Sequence, residues 1–201
     1  FPAEPTGPEK YAMIAGRLSR RGLRRPIWIT ETYRRTAQGD AESERDQVRF
    51  LTEELPEVLA CCPVGRVYWF AWTDFPGLSA GQPQRGLVRH DHTPKLAFPI
   101  MAHLVDHADG AARDISTPDV IAWEFRPARS GVRTIIARSR SGAATLTIPA
   151  FARETAVVTS FPDEALRNGS CCPQRRLMPS SAGWAIPLAG TASFVRIVAR
   201  P

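Results

Sequence analysis

Pro26-Ile27-Trp28-Ile29-Thr30-Glu31 is the stretch on which the fold turns. It opens on proline, passes through four uncharged residues and ends on an acid. A short apolar run of this kind reads as a strand buried on both faces, as in a parallel sheet. By the period of two, Ile27, Ile29 and Glu31 share a face. Upstream, Tyr11, Ile14, Ala15 and Leu18 recur at helical spacing and predict a helix over 8–22, with Pro8 in its first turn and Gly22 as its stop. Downstream, a polar loop over 34–41 leads into a second amphipathic helix over 42–60 that carries Val48, Leu51, Leu55, Val58 and Leu59. Pro56 predicts a kink or break near Leu55.

The pattern then repeats. Arg66-Val67-Tyr68-Trp69-Phe70-Ala71-Trp72-Thr73-Asp74 reads as a second buried strand. A Pro/Gly-rich loop runs from Phe75 to about Gln84, and Thr93-Pro94 opens a helix reaching about His107, with Pro99 as an expected kink. Helix, strand, helix, strand, helix is βαβ order, which implies parallel strands. After Gly110 the character changes. The segments 119–126, 132–139, 143–149, 155–160, 183–188 and 193–199 are short and rich in Val, Ile, Thr and aromatics. Turn signals separate them at Arg129-Ser130-Gly131, Ser141-Gly142 and Asn168-Gly169-Ser170. Strands at this spacing suggest an antiparallel sandwich.

The fold class is therefore α/β plus all-β, with an α/β part over 1–110 and a β-sandwich over 111–201. Two parallel strands do not make a domain, because they leave open sheet edges and too little core. A closed (β/α)8 barrel usually needs about 250 residues. The expectation is that further strands are missing upstream or come from another chain.

Composition narrows the function classes. The 201 residues carry a net charge of +6, almost all of it from arginine, since lysine occurs only at Lys10 and Lys95. The arginines are scattered, and the densest group, Arg17 to Arg25, sits at a helix end where cations favour the macrodipole. No zinc-finger or RNP-type motif accompanies them, so no nucleic-acid partner is expected. No apolar run reaches the roughly 20 residues of a membrane helix, so no membrane partner is expected either. The chain reads as soluble; its compartment is open, and secretion of an intact parent is compatible with it. Cys61-Cys62 and Cys171-Cys172 are adjacent pairs, a geometry poor for bonding within a pair. His90, His92, His103 and His107 lack the HExxH pattern, and neither a metal nor a cofactor is expected.

Glu31 is the candidate for chemistry. A carboxylate at the C-terminal end of a buried parallel strand stands where (β/α)8 barrels build active sites. It is equally placed to do no more than pair with a neighbouring arginine, and spacing alone leaves both readings open.

Arg25-Pro26-Ile27-Trp28-Ile29-Thr30-Glu31-Thr32-Tyr33 resembles the seventh-strand motif of the large clan of retaining glycosidases built on (β/α)8 barrels. Val67-Tyr68-Trp69-Phe70-Ala71-Trp72-Thr73-Asp74 is similar to that clan's eighth strand, where a tryptophan floors the sugar site. Gly86-Leu87-Val88-Arg89 followed by Thr93-Pro94-Lys95-Leu96-Ala97-Phe98 resembles its run into the last helix, and the β region is similar to the small sandwich appended to many such barrels. The resemblance implies a C-terminal part of such a hydrolase. Glu31 would be the nucleophile, Trp72, Trp69 and Tyr33 would contact substrate, and Trp72 would be the preferred stacking platform. Its acid/base would belong to an Asn-Glu motif at the end of strand four. No Asn-Glu dipeptide occurs here, and Asn168 is the only asparagine. The implied partners are a carbohydrate substrate and the upstream part of the same barrel, and this chain is expected to be inactive alone. An alternative is a noncatalytic carbohydrate-binding or interaction module on the sandwich, which requires exposed aromatics on one sheet face. Trp123 and Trp184 read instead as core.

Overall fold

The computed structural model describes residues 7–77, 82–107, 111–126, 132–149, 154–160, 174–181, 183–189 and 193–199. The chain divides into two compact units, Phe1–Ala97 and Phe98–Pro201.

In the first unit, helix α1 (Gly7–Arg20) stops at Gly22, whose φ of 71° is the left-handed conformation that glycine adopts without penalty. The Leu23 N–H reaches back to Leu18 O and the Gly22 N–H to Ser19 O, closing a Schellman motif. Strand β1 (Ile27–Thr32) follows. Asp40 caps the next helix by accepting the Glu42 N–H at 3.0 Å. That helix has three parts: α2 (Ala41–Arg49), a π-helical turn (Phe50–Glu54) and α3 (Leu55–Cys61). The break expected at Pro56 is thus a widened turn. Proline lacks an N–H and its ring crowds the carbonyl one turn back; the Leu55 N–H bonds Phe50 O, five residues earlier, and the helix continues. α3 packs on α1, and Cys61 and Cys62 are both free. Burial first, and then the neighbouring Cys61, pushes the Cys62 thiol up to about 12. Cys171 and Cys172 lie outside the described residues.

Strand β2 (Val64–Trp69) pairs with β1 in parallel. Two irregularities interrupt the ladder. Gly65 is an extra residue on β2, because Ile27 faces Val64 while Trp28 faces Arg66. A Cβ at Gly65 would lie 2.8 Å from Pro26 Cβ and 3.2 Å from Trp28 Nε1, so the close approach requires glycine. The second bulge is on β1, where three steps from Ile29 to Thr32 match two from Val67 to Trp69. Burial along β1 follows it: Ile29 is buried, whereas Thr30 and Glu31 are exposed in succession.

This corrects two expectations. Glu31 leaves the face of Ile29 and joins that of Trp28 and Thr30. And the strand is covered on one face only, with Trp28 58% exposed, because among the described residues β1 and β2 pair only with each other.

Helix α4 (Ala97–His107) starts three residues beyond Pro94, and all but its first residue belong to the second unit. Pro99 falls in its first turn, where an N–H would have no intrahelical partner. Strands β3 (Ala111–Asp114), β4 (Val120–Arg126), β5 (Val132–Ser139), β7 (Glu154–Ser160), β8 (Gln174–Leu177) and β10 (Ser193–Ala199) form one antiparallel sheet in the order β3-β4-β5-β10-β7-β8. β6 (Ala143–Ile148) and β9 (Trp184–Ala189) form a second, two-stranded one. Residues from both sheets close one apolar core around the fully buried Trp184, with Val120, Ile135, Leu146, Val158 and Ile197. Mixed helix and strand in several small sheets thus describes the chain. The turns expected at 129–131 and 168–170 lie outside the described residues.

Candidate active site

The exposed face of the parallel pair collects the polar and aromatic residues that apolar patterning would not leave in water. Trp28, Thr30 and Glu31 come from β1, and Arg66 and Tyr68 from β2. The Arg66 guanidinium lies 5.7 Å from the Trp28 ring centroid, a cation–π distance. Tyr68 is 47% exposed, and Trp72, just past the strand end, 63%. Glu31 makes no ion pair among the described residues, so the reading in which it only answers an arginine finds no partner there.

Trp69 is placed differently from Trp72. Its ring meets Phe50 edge-on at 5.9 Å, and its indole N–H donates to Arg85 O at 3.1 Å. It is therefore turned toward the helix that follows β1, and its polar atom is already used. Tyr33 lies under the Arg85 guanidinium, 4.6 Å from the ring centroid. Arg85 thus links Tyr33 with Trp69, and a cis peptide bond joins Phe70 and Ala71. The Trp72 carbonyl accepts from Leu87 N–H at 3.0 Å and Val88 N–H at 3.1 Å, which pins the backbone that carries its side chain.

Beyond the strand ends stands a buried polar assembly. Lys95 Nζ donates to Asp74 Oδ1 at 2.6 Å and to Thr36 Oγ1 at 2.7 Å, and its side chain is 3% exposed. Gly86 N–H donates to the same Oδ1 at 2.9 Å. A Cβ at Gly86 would sit 2.4 Å from Asp74 N and 2.5 Å from Thr73 C, so only glycine fits between these backbones. Arg89 Nη2 donates to Glu44 Oε1 at 2.5 Å, and Leu96 N–H donates to Glu44 Oε2 at 3.2 Å. Gln47 Nε2 donates to Gly86 O at 3.1 Å. Burial pushes the Lys95 ammonium below the usual lysine range, against the Asp74 carboxylate that pulls it up. A cavity of about 320 Å³ opens on this assembly.

Sequence reasoning did not find these residues, because 36 and 44 lie in the crossover between β1 and β2 whereas 74, 86 and 95 lie beyond β2, and they meet only in the folded chain. One signal was present: a chain that otherwise uses arginine places one of its two lysines here. In the second unit, Trp123, Phe125 and Trp184 are buried rather than displayed. The module reading therefore finds no exposed aromatic in these three; Phe151 and Phe161 lie outside the described residues. Also among the described residues, no three or more His, Cys, Asp or Glu side chains are grouped to hold a metal, and no helix is long and apolar enough to cross a membrane.

No family model and no curated protein sequence matches the chain. Solved structures do resemble it in fold. A GH30 endoxylanase from Clostridium papyrosolvens C71 aligns with a TM-score of 0.60 at 9% identity, covering 91% of this chain and 44% of its own. SrfJ from Salmonella typhimurium gives 0.60 at 10% identity, covering 94% and 38%. CelM2, a bifunctional glucanase-xylanase from a metagenome library, gives 0.55 at 10%, covering 98% and 37%. The chain thus spans less than half the length of each. At such identity the likeness shows the fold alone, which is glycosidase-like.

Proposed function

We propose that the protein hydrolyses O-glycosidic bonds with retention of configuration, and that Glu31 is the nucleophile. In this reading residues 1–110 are the strand-seven and strand-eight end of a (β/α)8 barrel, and residues 111–201 are an appended β-sandwich. The observation that carries it is the bulge in β1. It turns Glu31 out at the C-terminal end of a parallel strand, onto the one sheet face where Trp28 and Tyr68 are exposed. The glycosidase-like fold of the neighbours supports the same reading.

The chemistry follows from the types. A retaining enzyme needs two carboxyl groups about 5–5.5 Å apart. The Glu31 carboxylate attacks the anomeric carbon as the glycosidic bond breaks, and an ester to the sugar forms. The second carboxyl gives its proton to the leaving oxygen, then takes one from the water that hydrolyses the ester. Polypeptide outside residues 1–201 supplies that second group together with the strands that close the sheet, so this stretch is inactive alone. Trp72 is the platform for the sugar's C–H face, held by its carbonyl. Tyr33, fixed under Arg85, orients Glu31. Trp69 supports the strand from behind, its indole already committed to Phe50 and Arg85.

Kinetics on aryl glycosides with the protein that includes the closing strands test this. Glu31→Gln is expected to lower kcat by several orders of magnitude. Unchanged turnover by that variant would remove the assignment.

A further inference from the structure

The cavity beyond the strand ends has a wall made of matched opposites. Lys95 and Asp74 sit side by side, as do Arg89 and Glu44, and each pair is joined by a charge-assisted bond. Lys95, Asp74 and Glu44 are each more than nine-tenths buried along the side chain. The bonding capacity at the first pair is not exhausted. An ammonium has three donors, and Lys95 gives two of them to Asp74 and Thr36. The bonds received by Asp74 from Lys95 and Gly86 both fall on Oδ1, so Oδ2 keeps acceptor capacity.

These features select a ligand chemistry. An anion or a cation would have to compete with an ion pair already formed and buried, at the cost of stranding the displaced partner. A hydroxyl group has no such conflict, because it accepts from an ammonium and donates to the adjacent carboxylate at once. Phe75 adds an apolar lining to the same cavity, as a C–H face requires. The volume of about 320 Å³ stands at the lower end of the range of roughly 300–1,000 Å³ for small-molecule pockets. It suits one ring rather than a chain of them.

We propose that this cavity is a binding site for a single neutral polyhydroxylated ring, a pentose or hexose unit, held between Lys95 and Asp74 and separate from Glu31. It rests on the glycosidase reading only for the source of such a ring, a unit of the substrate or a released product.

The test is titration of the 201-residue chain with xylose, glucose and inositol, and separately with glucuronate and phosphate, followed by amide NMR. The neutral probes are expected to shift the Thr36, Gln84 and Lys95 signals saturably. Ala37→Phe fills the cavity without removing a polar group and is expected to raise Kd at least tenfold. Lys95→Met is expected to do the same, and Glu31→Gln to leave Kd unchanged. Unshifted cavity signals would overturn the proposal, as would Kd unaffected by Ala37→Phe or tighter binding of glucuronate or phosphate. Loss of sugar binding in Glu31→Gln would also overturn it, by placing the ring at the catalytic carboxylate. Absence of glycosidase activity, by contrast, sinks only the catalytic reading.

Discussion

The two sheets systems of this chain treat their own surfaces in opposite ways. The antiparallel strands of the second unit close a core in which Trp184, Ile135 and Ile197 have no exposure. The parallel pair of the first unit buries Ile29 on one face and leaves Trp28 and Tyr68 in water on the other. Parallel sheets are normally covered on both faces, because their crossovers lie on the faces and their edges seek further strands. The difference separates a region whose apolar residues cover one another from one that leaves aromatic rings of one sheet face exposed among the described residues.

Stability measurements can break that comparison. Trp184→Ala removes the largest fully buried side chain and is expected to cost about 3–5 kcal/mol in denaturant unfolding. A loss under 1 kcal/mol would mean the second unit is not the self-sufficient one. Gly86→Ala comes next. Its Cβ has no room beside Asp74 N and Val88 O, and a loss of about 1–3 kcal/mol is expected, read as a lower urea midpoint. A neutral result would show that the loop pinning Trp72 is not tightly held.

Acid sharpens the contrast further. Burial pushes Glu124 upward, but Arg126 first, then Arg113 and Arg133, outweigh it and hold the carboxyl below its usual range. A carboxylate depressed in the folded state contributes stability above its unfolded pKa of about 4.3, and loses it as pH falls through the folded value. Unfolding midpoints measured from pH 7 to pH 3 should fall below about pH 4.5 in the native protein, and fall less in Glu124→Gln. Trp28→Ala should have the smallest effect, within about 0.5 kcal/mol, because an exposed ring loses little burial. A loss of 2 kcal/mol or more there would show that the open face is already covered.

Much of this fold was legible from local pattern. The strands 132–139 and 193–199 coincide with their β-branched runs, and the helix ends follow Gly22 and Asp40. Two strands were not legible: Ala111–Asp114 and Gln174–Leu177 contain almost no strand-forming side chains, and their neighbours hold them in the sheet. The bulges were invisible for a related reason, since register belongs to a pair of strands and not to one. Reading β1 with a strict period of two therefore put Glu31 on the wrong face. Of the candidate site, Glu31 and Trp72 could be found from the strand ends. The Lys95–Asp74 pair could not, because its members are 21 positions apart, with the loop between β2 and α4 separating them.

The most direct test is covalent trapping of the nucleophile. On the proposed function, the chain together with the further barrel strands which that reading calls for would be incubated with 2-deoxy-2-fluoro glycosyl fluorides, whose glycosyl ester forms faster than it hydrolyses, and digested for mass spectrometry. A single adduct on the peptide containing Glu31, lost in Glu31→Gln, is the expected result; an adduct on another carboxylate, or labelling that persists in Glu31→Gln, would contradict it.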